Sequence, residues 1–361
     1  FLYLVLSMKL IRSIIFILFI ILCSCSKNNK SSYSNIFRYN ESASITSLDP
    51  LFANTQSNIW ATNQIFNTLI YLDSNMVIQP LIAKDWLVKN DGHTYIFILR
   101  DDVYYHKSEC FGSDSTRKVV AEDFVYSLSR LANSDLISPG RWVLDYFNLD
   151  EVVAVNDTLL EINLPKPFPG FLGLLSMTYF SFVPKEAVDF YGDKFSSNPI
   201  GTGPFYFKKW KHNEKLILLK NNHYFEFEKD FRLPYLDGIS ISFIKQKESV
   251  FMNFMLDNFD FISGLDNSFR DELINVEGEL YSSYKNKFSI LSTPYLNTEY
   301  LGVHIPKVVY DKGPLMYKGF RQVLNSCFNK SIMVKYLRNS LVSPANDGFV
   351  PKKIKTCYEV E

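Results

Sequence analysis

The chain has 361 residues with 38 basic and 38 acidic side chains, so it offers no net positive charge for nucleic-acid binding. Aromatic residues make up 16%, with 31 Phe and 22 Tyr, enough for a large core and an aromatic-lined cleft as well. The length allows two or three domains. Of the five cysteines, Cys110, Cys327 and Cys357 could supply one pair, but they are far apart and follow no framework spacing, so the sequence does not support a disulfide.

The N-terminal stretch "MKLIRSIIFILFIILCSC" places Lys9 and Arg12 ahead of an unbroken apolar run from Ile14 to Leu22. That run is too short to span a bilayer and fits the apolar region of a secretory signal. Met8 before Lys9 has the form of a start, with Phe1–Ser7 upstream of it. Leu22-Cys23-Ser24-Cys25 resembles a bacterial lipobox, which makes Cys25 the candidate lipidated residue and 1–24 the removed signal. An uncleaved signal anchor is the alternative. Residues 25–35 then read as a polar tether to a membrane.

Beyond the tether, "IFRYNESASITSLDPLFAN" reads as a strand, then a loop, then Asp49-Pro50 as a turn. Mixed helical spacing predicts a helix over about 57–69. Alternation on both sides of Asp91-Gly92 predicts a hairpin. Ala121, Phe124, Val125, Leu128 and Leu131 share one helical face. A second hairpin turns at Asn156-Asp157, and "FLGLLSM" suggests a short helix. "FYFKKW" and "KLILLKNN" form a hairpin around Lys211–Glu214. The stretch "LDGISISFIKQKESVFMNFMLDNFDFISG" opens with a strand, then a helix at about 248–256 and a short strand at 259–262, and a further strand at 297–305 follows. The last predicted element is one helix over about 316–340, with Phe320, Val323, Leu324, Cys327 and Phe328 on its face.

Gly201-Thr202-Gly203-Pro204 looks at first like a phosphate loop. A third glycine is missing, Pro204 removes a donor, and strands follow where a helix is required. A tight turn feeding a hairpin is the better reading. Catalytic motifs are absent too. His93, His106, His212, His223 and His304 are scattered, and no G-x-S-x-G or H-E-x-x-H occurs. Asp101-Asp102 are strand neighbours that point to opposite faces, which suits a solvated turn better than acid–base work. Glu122 and Asp123 sit in a first helical turn and complement its dipole.

Seven blocks in order resemble one family. They are Leu48-Asp49-Pro50 with Thr68-Leu69; Pro80, Leu81, Ala83 and Trp86 with Asp91 to Arg100; Val103 to His106 with Val120 to Ser127 and Arg130; Val183-Pro184-Lys185; Gly201 to Phe205 with Trp210 and Asn221 to Tyr224; Leu233 to Asp237; and Arg321 to Leu324. The chain is similar over nearly all of 36–351 to the extracytoplasmic solute-binding proteins of peptide, dipeptide and nickel ABC importers.

The resemblance implies an α/β, two-lobed periplasmic-binding-protein-like fold of type II, with the extra domain of the peptide-binding cluster. Lobe I would be 36–51 and 176–268, the extra domain 52–175, and 269–361 a partial lobe II. Family members continue further, so the second lobe is expected to be incomplete, with 270–361 poorly stable.

Ser44, Ile45, Thr46 and Ser47 would face the ligand, against the reading of a plain surface loop. Trp142 and Tyr146 would present aromatics to the cleft, against a core reading; Arg141 is a carboxylate partner or a solvated side chain. Gly264 and Leu265 would mark the hinge. The implied function is capture of a short peptide outside the cytoplasm and delivery to a membrane permease. The product would be a monomeric lipoprotein of the cell envelope, with no metal, cofactor or nucleic acid, and not an enzyme. A sensor on the same fold, a surface hydrolase and an inactive fragment are the alternatives.

Overall fold

The structure is a computed structural model that describes residues 35–292, 297–305, 313–346 and 348–350. The signal segment, Cys25 and most of the tether lie outside the described residues, as does Cys357. In chain order the elements are β1 (Ile36–Asn40), α1 (Gln56–Ile65), β2 (Ile70–Leu72), β3 (Ile78–Pro80), β4 (Ala83–Lys89), β5 (Thr94–Leu99), α2 (Ala121–Ala132), β6 (Val152–Asn156) and β7 (Leu159–Asn163). Next come α3 (Phe171–Leu175), α4 (Lys185–Tyr191), β8 (Phe205–Lys211), β9 (Lys215–Lys220), β10 (Phe227–Glu228), β11 (Phe231–Arg232) and β12 (Gly238–Ser242). The last helices are α5 (Lys247–Met255), α6 (Asn267–Leu273), α7 (Lys318–Ser326) and α8 (Lys330–Arg338).

Two four-stranded sheets organise the body. The first has the order β1-β12-β9-β8, with β1 and β12 parallel and the other neighbours antiparallel. Its strands close at long range, since Ile36 pairs with Gly238. Gly238 lets β9 approach, because a Cβ there would lie 2.6 Å from the Leu218 carbonyl oxygen. The second sheet is antiparallel, order β4-β5-β7-β6. Tyr95, Phe97 and Leu99 of β5 point inward at the period of two that a half-buried strand requires. Asp91 and Gly92, both at positive φ, turn the chain between β4 and β5. Asn156 and Asp157 do the same between β6 and β7.

One apolar cluster runs through both sheets. Helix α2 buries Phe124, Leu128 and Leu131 in it, with Phe124 against Phe180 and Phe182. The Asp123 carboxylate accepts the Val120 N–H at 3.0 Å, and so caps α2 from inside its first turn. A separate small cluster of Phe251, Leu273 and Ile274 joins α5 to α6.

Several expectations are corrected. Helix α1 stops at Ile65, not near Leu69, because the Ile65 carbonyl is taken by the Gly203 N–H at 2.7 Å. Residues 259–262 form only a single bridge, Phe261 to Tyr39, and 297–305 are irregular. The helix expected over 316–340 is two, because Asn329 caps α8 by accepting the Ile332 N–H at 3.0 Å. Its expected inner face is largely exposed, Val323 at 63% and Phe328 at 47%. Among the described residues beyond 281 there is no strand.

Candidate functional site

Helix α1 is held by a loop at each end. At its C-terminal end sits Gly201-Thr202-Gly203, and the two glycines are there for proximity. A Cβ on Gly203 would fall 2.5 Å from the Gln64 oxygen, and one on Gly201 would overlap the Ile65 oxygen. Neither glycine has positive φ, so turn conformation is not the reason. The polar groups are used internally. His106 N–H donates to the Gly201 oxygen at 2.8 Å, and its Nε2 meets the Gly203 oxygen at 2.9 Å. The Gly201 N–H reaches His106 Nδ1, so the imidazole is neutral with its proton on Nε2. Burial pushes the His106 pKa down to about 4. Thr202 donates to Asn67, and Asn221 donates to Gly203. The motif is a packed structural knot with no room for an anion.

At the N-terminal end of α1 sits the loop 41–49, leaving the tip of β1. The Glu41 N–H bonds the Ser242 oxygen at 2.9 Å, which ties the loop's start to β12. Thr46 is clamped by Asn58, which accepts the Thr46 N–H at 3.1 Å and donates to its hydroxyl at 2.9 Å. Leu48 N–H bonds Ser196, and Asp49 N–H bonds the Ser47 hydroxyl. Ile45 is buried beneath the loop, and Ser47 is buried as well. Between these anchors the peptide groups of Ser44 and Ile45 bond to no other described residue. A backbone group in that position requires water or a ligand.

A buried ion pair fixes the loop's far end. Arg130 of α2 grips Asp49 at 3.2 and 2.6 Å, both side chains under 10% exposed, while Asp49 also accepts the Leu51 N–H. The Arg130 guanidinium lies over the Phe195 ring, 5.3 Å from its centroid. Sequence reasoning placed Asp49-Pro50 in a turn and named Arg130, but did not join them. Their separation of 81 positions leaves no local signal.

Trp142 lies in a short turn over Arg141–Asp145 and Tyr146 caps it; they are 45% and 38% exposed, so neither is a core residue. The Ser138 hydroxyl donates to the Leu51 oxygen at 2.7 Å, which ties the segment just ahead of this turn to Leu51, two residues past the loop 41–49. Arg141 is exposed and makes no ion pair with a described residue. Gly264 has φ +66° with open space around it, and Leu265 packs on the α5–α6 cluster. Just before them Asp260 is clasped by Arg38, with bonds of 2.7, 3.0 and 2.6 Å and a return bond from Asp260 N–H. That guanidinium holds the Asp260 carboxyl below its usual range. The chain is therefore pinned to the first sheet at Asp260, four residues before Gly264.

Other titratable groups serve the fold. Asp102 is paired with Arg100 at 2.8 Å, and Asp123 and Glu186 share Arg117. Among the described residues no three metal-ligating side chains come together, and no helix is long and apolar enough to cross a membrane.

Residues 77–357 match the sequence profile described as bacterial extracellular solute-binding proteins, family 5 Middle. The chain belongs to that family, whose members are extracytoplasmic solute-binding proteins. The glutathione-binding protein GsiB of Salmonella paratyphi A is 22% identical over 312 residues, 86% of this chain and 55% of GsiB. The murein tripeptide-binding protein MppA of Escherichia coli superposes with a TM-score of 0.66 at 23% identity, over 88% of this chain and 60% of MppA. The Helicobacter pylori protein DppA, solved with the peptide STSA, gives 0.60 at 24% identity, over 69% and 50%. The fold is thus that of the periplasmic binding proteins of this family. The chain spans about half the length of the curated relatives it matches.

Proposed function

We propose that this chain captures a short peptide outside the cytoplasm, as the binding component of an ABC importer, and passes it to a membrane permease. The observation that carries this reading is the pair of unspent peptide groups at Ser44 and Ile45, held between the anchors at Glu41 and Thr46. An extended peptide pairs with such groups strand to strand, and a rigid loop lowers the cost of ordering them. The relatives named for glutathione and murein peptide, and the solved complex with STSA, support peptide as the ligand class.

On this reading 36–51 and 176–268 form lobe I, 52–175 the extra domain, and 269–361 part of lobe II. Gly264 and Leu265 are the hinge about which a ligand would close the lobes. Cys25 would carry the lipid that keeps the protein at the membrane. The chain binds without chemistry and needs no cofactor.

Isothermal titration of the full chain against a series of defined di- to pentapeptides tests this. Saturable one-to-one binding with the peptide recovered intact is expected. No binding across the series, or recovery of cleaved peptide, would refute the reading.

A further inference from the structure

The turn that carries Trp142 and Tyr146 exposes more aromatic surface than its own packing calls for. Val143 and Phe147, on its inner side, are fully buried and already anchor it. Gly140 presses on the Tyr179 ring, where a Cβ would sit 2.6 Å from a ring carbon, and Ser138 accepts the Gly140 N–H at 3.1 Å. The turn is therefore rigid without help from Trp142 or Tyr146. Those two rings nonetheless form a ledge with Phe168. Tyr146 stacks on Phe168 with centroids 4.6 Å apart and planes at 25°, and Trp142 meets Tyr146 edge-on at 6.2 Å and 80°.

This arrangement has a direct physical consequence. Phe168 covers one face of Tyr146, and Trp142 stands perpendicular to it. The exposed rings thus form a corner, with one wall and one floor. A flat ring entering that corner meets one ring face to face and the other edge to face, the two geometries aromatic pairs prefer. A flexible aliphatic chain of equal area gains contact but not this alignment. The Ser138–Leu51 bond joins the two segments at one point, four residues before Trp142 and seven after Ser44.

We propose that the Trp142–Tyr146–Phe168 corner is a specificity element that selects peptides carrying a ring-bearing side chain, aromatic or proline, over aliphatic ones. The proposal rests on the peptide reading above. The corner prefers a phenyl or indole ring to leucine by about 3- to 10-fold in affinity, the range measured for aromatic pairs beyond their area. Proline, with a smaller face, falls at the low end.

The test uses the full chain and the tetrapeptides Ala-X-Ala-Ala, with X as Phe, Trp, Pro, Leu or Ala, titrated by calorimetry. Wild type is expected to favour Phe and Trp over Leu. Trp142→Ala should bring that ratio to about one. Trp142→Phe should retain most of the preference, and Tyr146→Leu, which keeps bulk but removes the floor, should lose it. Thermal melts confirm that each variant is folded; both side chains are exposed enough for that. A wild type indifferent to X, or a preference that survives Trp142→Ala and Tyr146→Leu, overturns the proposal. If no peptide binds wild type at all, the peptide reading falls and the proposal falls with it. Binding without selectivity overturns the proposal alone.

Discussion

The two loops that hold helix α1 look alike in sequence: both are short, polar and rich in small residues. Their hydrogen-bond economies are opposite. At the C-terminal end, Gly201 to Gly203 commit their groups to His106, Asn67, Asn221 and Ile65. At the N-terminal end, Ser44 and Ile45 stand between firm anchors and are left uncommitted among the described residues. A loop with nothing left to bond is structural. A loop held rigid at both ends but unspent in the middle is equipped to bind. A glycine-rich motif is therefore a poor guide to a site unless its donors are counted.

The contrast can be broken hardest at the knot. Gly201→Ala drives a methyl group into the Ile65 carbonyl, backbone against backbone, with no flexible side chain to yield. A loss of more than about 3 kcal/mol is expected in chemical denaturation, enough to prevent folding in a marginal domain. Gly203→Ala should behave similarly. Either variant melting like wild type would mean the helix end and the loop are less closely packed than described.

Next comes the clasp behind the loop 41–49. Arg130→Met strands the Asp49 carboxylate in a buried setting, at a cost of about 3–5 kcal/mol. Adding Asp49→Asn should recover part of that loss, since the uncompensated charge is gone. A double variant no more stable than Arg130→Met would show that packing of the guanidinium on Phe195, not charge, is what matters.

The histidine of the knot predicts a pH response. Folding lowers its pKa from 6.5 to about 4, so the unfolded chain binds the extra proton between those values. Its contribution is therefore fully present above pH 6.5, falls as pH drops, and is gone below about 4. The most it can supply is about 3 kcal/mol. Urea melts of wild type and His106→Gln across pH 4–7 should differ in slope over that window, wild type being the steeper. Parallel curves would refute the neutral, buried imidazole.

The smallest stability effect should come from the loop 41–49, the proposed ligand contact. Ser44→Pro removes one unspent N–H, breaks no internal bond, and should shift the melting midpoint little. Peptide affinity should fall about tenfold, the worth of one net hydrogen bond. Equal affinity would place the ligand elsewhere.

Much of the body was legible because its signals are local. Asp91-Gly92, Asn156-Asp157 and Lys211–Glu214 each sit between alternating runs and each became a hairpin. Helix α2 was legible from its apolar face. The end of α1 was not, since it depends on a carbonyl claimed from 138 positions away. The β10–β11 hairpin was missed because two-residue strands carry no period. The apolar runs at 259–262 and 297–305 read as strands, but strands need partners, and pairing is not written in the run itself. The site divides in the same way. Ser44–Ser47 could be named by resemblance, and the exposed Trp142 and Tyr146 with it. The Asn58 clamp, the Asp49–Arg130 clasp and Phe168 could not, because each joins positions that only the fold brings together.

The most direct test of the contrast is amide hydrogen exchange, read by mass spectrometry with and without a saturating peptide from the titration series. The Ser44 and Ile45 amides should exchange fast in the free protein and slow on binding. The Gly201 and Gly203 amides should be protected in both states and unchanged. Protection gained at Gly201 or Gly203, or none gained at Ser44 and Ile45 with the peptide bound, would contradict the contrast.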